Sequence, residues 1–146
     1  LSFTIILITW VNHHNALKLG NRSSASFIYA NGFLLFTVVV MPFPTSLLGE
    51  YILTDHAAPA VILYESTMAL QAVGWILIVK AALKDHLGKS EKATLQIRKN
   101  GQFGYFAFAL YTLCAIIAIW FPLPIAIITT ITWIFWLIHG IRINHE

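Results

Sequence analysis

At 146 residues, with hydrophobic side chains at 58%, charged ones at 10% and a mean hydropathy of +0.76, the chain is far more apolar than soluble domains, which run at about 45–50% and about 25%. This is the composition of an integral membrane protein. The net charge of +3 does not point to nucleic acid, because the basic residues sit in short loops beside apolar segments and form no face of their own.

The pattern is that of an all-α, polytopic transmembrane helical bundle, one domain over residues 1–146, with five membrane segments. The first, residues 1–17, carries only the run Leu1 to Val11 ahead of the polar knot Trp10-Val11-Asn12-His13-His14-Asn15. Eleven helical residues span roughly 16 Å of a hydrocarbon core about 30 Å thick, so this first segment reads as an incomplete crossing. The second, 26–53, is interrupted by Met41-Pro42-Phe43-Pro44-Thr45. Proline removes a backbone donor and disfavours helix at the residue before it, which predicts a kink or an unwound turn. In lipid the freed carbonyls need partners, so this part of the segment is expected to face other helices.

The third segment, 59–83, starts at Pro59 and carries Glu65, Gln71 and Gly74. Residues 84–102 are the one long polar stretch and read as a loop or short interfacial helix on the cytoplasmic side. Segments 103–121 and 123–141, joined through Pro122-Leu123-Pro124, read as an antiparallel helical hairpin. Lys18 and Arg22 follow the first segment; Lys80, Lys84, Lys89, Lys92, Arg98 and Lys99 lie at or between the third and fourth; Arg142 follows the fifth. With five crossings all nine fall on one side, which the positive-inside rule makes cytoplasmic, together with the C-terminus.

Candidate chemistry is sparse. His13 and His14 are of a type that binds metals or haem, yet neighbours on a helix point about 100° apart, which suits one metal poorly. A structural or pH-responsive histidine pair is the favoured reading, with no metal and no cofactor. Glu65 is the one carboxylate clearly inside a crossing. It either snorkels to the outer interface or serves an ion or proton pathway. Asn31, Thr37 and Gln71 read as helix–helix hydrogen-bonding residues, and Trp75, Trp120, Trp133 and Trp136 as belt or packing residues. The lone Cys114 excludes an internal disulfide and reads as a small buried hydrophobe. No G-x-S-x-G, P-loop or H-E-x-x-H string occurs, and Glu65 and Gln71 lie on different faces of one helix, so no enzyme is indicated.

Two stretches taken together, W-V-N-H-H at Trp10 to His14 and P-F-P-T-S-L-L-G-E-Y at Pro42 to Tyr51, resemble the bacterial members of the transmembrane protein 175 family, relatives of the lysosomal potassium channel. The resemblance covers the whole chain as helices two to six of a six-helix subunit. It implies a potassium-selective, leak-like cation channel of four identical subunits in the bacterial inner membrane, with potassium as the permeant species. No T-V-G-Y-G-type filter segment is present. The family's pore is lined by the first helix with its R-x-x-x-F-S-D signature, which this sequence lacks. Family pore residues therefore map to no position here, and the chain is expected to be the scaffold around that missing upstream helix. Trp10, Asn12, His13 and His14 are then expected to form a hydrogen-bonding lock on the pore helix, with no partner inside this chain. Pro42, Phe43, Pro44 and Thr45 supply the helix break and its packing. The readings left beside the channel are a non-conducting membrane scaffold or partner subunit, and a small proton-coupled transporter using Glu65 and the histidines.

Overall fold

The computed structural model describes residues 2–18 and 24–145, all of them in helices or short turns. Six helices follow in order: α1 (Ser2–Lys18), α2 (Ala25–Val40), α3 (Pro42–Tyr51), α4 (Ala57–Lys84), α5 (Glu91–Ile117) and α6 (Pro122–His145). Among the described residues four stretches are long and apolar enough to cross a membrane: α2 with α3, α4, α5 and α6. The 17 residues of α1 cover roughly 25 Å.

The break before Pro42 is a single residue. Met41 keeps helical angles, φ −51° and ψ −37°, and closes α2 while opening α3. Its amide is shared between the carbonyls of Thr37 and Val38, at 3.2 Å each, so the Val38 carbonyl that Pro42 cannot serve still finds a donor. The Met41 carbonyl accepts from both the amide (3.2 Å) and the hydroxyl (2.8 Å) of Thr45. A local donor thus serves the Val38 carbonyl that Pro42 leaves free, and the chain stays helical through Met41. Met41, Pro44 and Thr45 are buried, whereas Pro42 and Phe43 are exposed. Only one side of the break faces other helices.

The core is built around α4, which touches α2, α3, α5 and α6. Its partner face on α5 repeats Ala93, Ile97, Gly101, Gly104, Ala107, Tyr111 and Cys114 at helical spacing. Small side chains let the two backbones approach closely, which is how membrane helices gain dispersion energy where no hydrophobic drive separates them from lipid. Gly74 does the same toward α2: a Cβ there would lie 3.1 Å from the Leu34 Cα. Cys114 is buried, as expected of a small hydrophobe.

Two expectations change. The polar stretch 84–102 is a loop only from Asp85 to Ser90. Ser90 caps α5 by accepting from the Ala93 amide at 3.0 Å, so helix begins there and runs on into the apolar segment. The hairpin of α5 and α6 is also looser than expected, because α6 packs chiefly on α1 and α4. Aromatic and hydroxyl side chains bridge α5 to α6. Tyr111 Oη lies 3.0 Å from both Thr132 Oγ1 and the donating Trp136 Nε1, and Phe103 sits 4.5 Å from the His139 ring centroid.

Candidate functional site

The first polar region lies where α1, α2, α4 and α6 meet, at the end of the bundle that carries Lys84 and Arg142. Helical spacing divides the knot into two faces. Asn12, His13 and Asn15 turn inward, while Trp10 and His14 turn outward. His13 Nε2 is 2.5 Å from Asn31 Oδ1 on α2, and the His13 ring meets Trp75 of α4 edge-on at 6.1 Å. Asn15 Nδ2 donates to the Gly140 carbonyl at 2.7 Å, and Asn12 Nδ2 to the carbonyls of Ile8 (3.0 Å) and Trp136 (3.3 Å). Gly140 fits because a Cβ there would meet Asn12 Oδ1 at 3.1 Å and Val11 Cγ1 at 3.2 Å.

The expectation that this knot has no partner inside the chain is therefore corrected. Asn12 Nδ2 and His13 Nε2 find partners on α6 and α2, whose residues give no local sign of the pairing, while His13 Nδ1 and Asn15 Oδ1 are buried without one. Asn15 proves as important as the expected residues. The helix–helix role expected of Asn31 is present. Thr37 instead donates to the Leu34 carbonyl of its own helix at 2.6 Å. Buried Gln71 lines a cavity of about 90 Å³ between α1, α4, α5 and α6, together with Thr9, Asn12 and Asn100.

Outward on α1, beside the exposed Thr4, runs a stripe: Phe3, Leu7, Trp10, His14 and Leu17 are all exposed. Their alternating steps of four and three residues are the spacing with which one helix meets another along a seam. The stripe is continuous along the helix and carries one polar side chain, His14, near its end.

The second polar region lies toward the opposite end, between α3, α4 and α6. Glu65 does not snorkel: it is 0% exposed and accepts a hydrogen bond from Thr129 Oγ1 of α6. Its second oxygen, Oε2, has no hydrogen-bond partner, and neither has the Tyr64 hydroxyl or the Trp133 indole nitrogen, all three buried. The Tyr64 and Trp133 rings lie 6.1 Å apart, centroid to centroid. These residues line a cavity of about 180 Å³ with Leu48, Gly49 and Ile52 of α3 and Ala126 and Ile127 of α6. Trp133 and Trp136 thus serve packing inside the bundle, while Trp120 is exposed at the turn between α5 and α6. Glu65 and Gln71 line different cavities.

Comparison with known proteins follows the same lines. The family model described as endosomal/lysosomal potassium channel TMEM175 matches residues 1–42. A potassium channel of Chamaesiphon minutus is 32% identical over 134 residues, 89% of this chain and 66% of the relative. A potassium channel of Streptomyces collinus is 35% identical over 82 residues, 52% of this chain and 40% of the relative. The crystal structure of a lysosomal potassium-selective channel TMEM175 homolog from Chamaesiphon minutus superposes with a TM-score of 0.82 at 27% identity, over 95% of this chain and 70% of that one. The chain thus spans less than two thirds of the length of the two curated relatives.

Proposed function

This chain belongs to the family of the endosomal/lysosomal potassium channel TMEM175, and on that premise we propose that it is a subunit of a potassium-selective, leak-like cation channel of four identical subunits. In this reading α1 to α6 are the scaffold, and a further helix of the subunit, outside this chain, lines the pore. The observation that carries the reading is the exposed stripe of Phe3, Leu7, Trp10, His14 and Leu17. Five outward side chains at seam spacing on a helix whose other face is already locked into the bundle suit a helix docked lengthwise.

The proposed lock then has two sides with different duties. Asn12, His13 and Asn15 hold α1 to α2 and α6. Trp10 and His14 meet the pore-lining helix, where His14 can donate to or accept from a polar side chain at the same depth. The basic residues at one end of the bundle support a cytoplasmic C-terminus in a bacterial inner membrane. Potassium is the permeant species, and the surrounding lipid and identical subunits are the partners.

The test is potassium flux in liposomes that hold the full-length protein and a pH dye. A potassium leak that exceeds the sodium leak, with no substrate-linked proton movement, is expected. Silence would favour a non-conducting scaffold, and proton-coupled uptake a transporter using Glu65. Trp10→Ala and His14→Ala should weaken assembly or alter the leak. Unchanged flux and unchanged oligomer stability in both variants would remove α1 from that role.

A further inference from the structure

The Glu65 cavity is not needed for the scaffold reading, and its construction is unusual for the interior of a membrane protein. A buried polar atom without a partner costs free energy, more so for an ionisable group, and native structures hold few of them. Five such atoms occur among the described residues, and three of them, Glu65 Oε2, Tyr64 Oη and Trp133 Nε1, the last two facing one another, are gathered around one cavity of about 180 Å³. They lie on two helices, α4 and α6, so no single local distortion accounts for them. The Thr129 hydroxyl stands between Glu65 Oε1 and the Ile125 carbonyl of its own helix, 2.9 Å from the latter, and its single proton serves one of the two at a time. The carboxyl is held in place while its second oxygen is left open.

Among the described residues no Lys, Arg or His lines this cavity, so the carboxyl has no counter-charge from the chain. A carboxyl in that setting is stabilised by a proton or by a cation that arrives from outside. Two aromatic rings, Tyr64 and Trp133, stand beside it. Ring faces attract an organic ammonium, and a carboxylate beside them completes the type of cage that such cations occupy. A bare alkali ion would find the side-chain oxygens of Glu65, Tyr64, Thr129 and Thr130. Thr129 and Thr130 already donate to helix carbonyls, however, and the remaining walls are apolar, so fewer oxygens surround it than such an ion requires. The rim points the same way. Ile127, Thr130 and Gly49 are exposed and leave an apolar mouth, which suits an apolar body behind the cationic head.

We propose that the cavity bounded by α3, α4 and α6 is a binding site for a small lipophilic amine, taken up as its ammonium form, with Glu65 as the counter-ion and Tyr64 and Trp133 as the aromatic walls. Gly49 controls entry: a Cβ at that position meets nothing within 4 Å, so a larger side chain can stand in the mouth without disturbing the fold.

The test uses the full-length protein in lipid nanodiscs, with benzylamine as the probe and toluene and benzyl alcohol as neutral probes of similar size, read as the ligand-dependent shift in thermal unfolding. Benzylamine is expected to raise the unfolding temperature in a saturable way and the neutral probes to leave it within error. Glu65→Gln, which keeps the shape and an acceptor for Thr129, should weaken benzylamine binding at least tenfold. Gly49→Leu retains every polar group of the site and should weaken it comparably, which keeps the proposal testable if Glu65→Gln folds poorly. Equal shifts from toluene or benzyl alcohol, no shift from benzylamine, or full binding retained in Gly49→Leu or in a folded Glu65→Gln would each overturn the proposal. None of these results depends on whether the protein conducts potassium.

Discussion

The two polar regions of this bundle differ in where their unpaired atoms lie: His13 Nδ1 and Asn15 Oδ1 are left over beside bonds that lock helices together, whereas those of the second region gather around one cavity. At the end carrying the basic residues, Asn12, Asn15 and His13 reach across to the Trp136 and Gly140 carbonyls and the Asn31 side chain. Near the other end, Glu65, Tyr64 and Trp133 each leave a buried polar atom open to a cavity. Interhelical hydrogen bonds in membranes are worth about 0.6 kcal/mol on average and up to about 1.7, so the first region contributes real but modest stability. The second contributes none from its open atoms. Polarity inside a membrane bundle is thus not one signal: paired, it fixes how helices sit; unpaired around a space, it marks where something else belongs.

The sharpest way to break the comparison is to disturb the packing on which both regions depend. Gly74→Val puts a Cβ 3.1 Å from the Leu34 backbone, where no side chain can yield, and should cost about 3 kcal/mol, the upper end for overpacking. Denaturant or thermal unfolding in detergent would read it, and a loss under about 1 kcal/mol would mean that α2 is free to slide on α4. Next, Asn15→Ala removes the donor to Gly140 and should cost about 1–2 kcal/mol, since the side chain is only 2% exposed. Thr45→Val deletes the hydroxyl bond to the Met41 carbonyl but leaves the amide bond in place, so about 0.5–1.5 kcal/mol is expected.

Glu65→Met is expected to have the smallest effect, and it tests the contrast best. Thr129 keeps its bond to the Ile125 carbonyl, and an intramembrane acid is exchanged for an apolar side chain of similar length. Stability should stay level or rise by up to about 1 kcal/mol. A loss above about 2 kcal/mol would place Glu65 among the structural polar groups with Asn15.

The apolar segments, the proline break and the gathering of basic residues at one end could all be read from sequence because each is a local or periodic property. The start of α5 was also accessible in principle: Ser90 followed by Ala93, Ile97, Gly101 and Gly104 is a cap and then one helical face. The charges of Glu91, Lys92, Arg98 and Lys99 obscured it, since a polar run beside a membrane segment resembles a loop. The two polar regions were only half legible. Asn15 and Gly140 are 125 residues apart, and Glu65 and Thr129 are 64 apart. Nothing in the spacing near His13 or Glu65 tells a side chain that finds a distant partner from one that is left open. The family resemblance carried by Trp10 to His14 and Pro42 to Tyr51 supplied the overall plan, but not which face of α1 each residue takes.

The most direct measurement of the proposed activity is the reversal potential of the full-length protein in a planar bilayer with potassium on one side and sodium on the other. A reversal potential displaced toward the potassium equilibrium value, and unchanged when pH is stepped on one side, is the expected result. One that stays near zero, or that follows the proton gradient, contradicts a potassium channel.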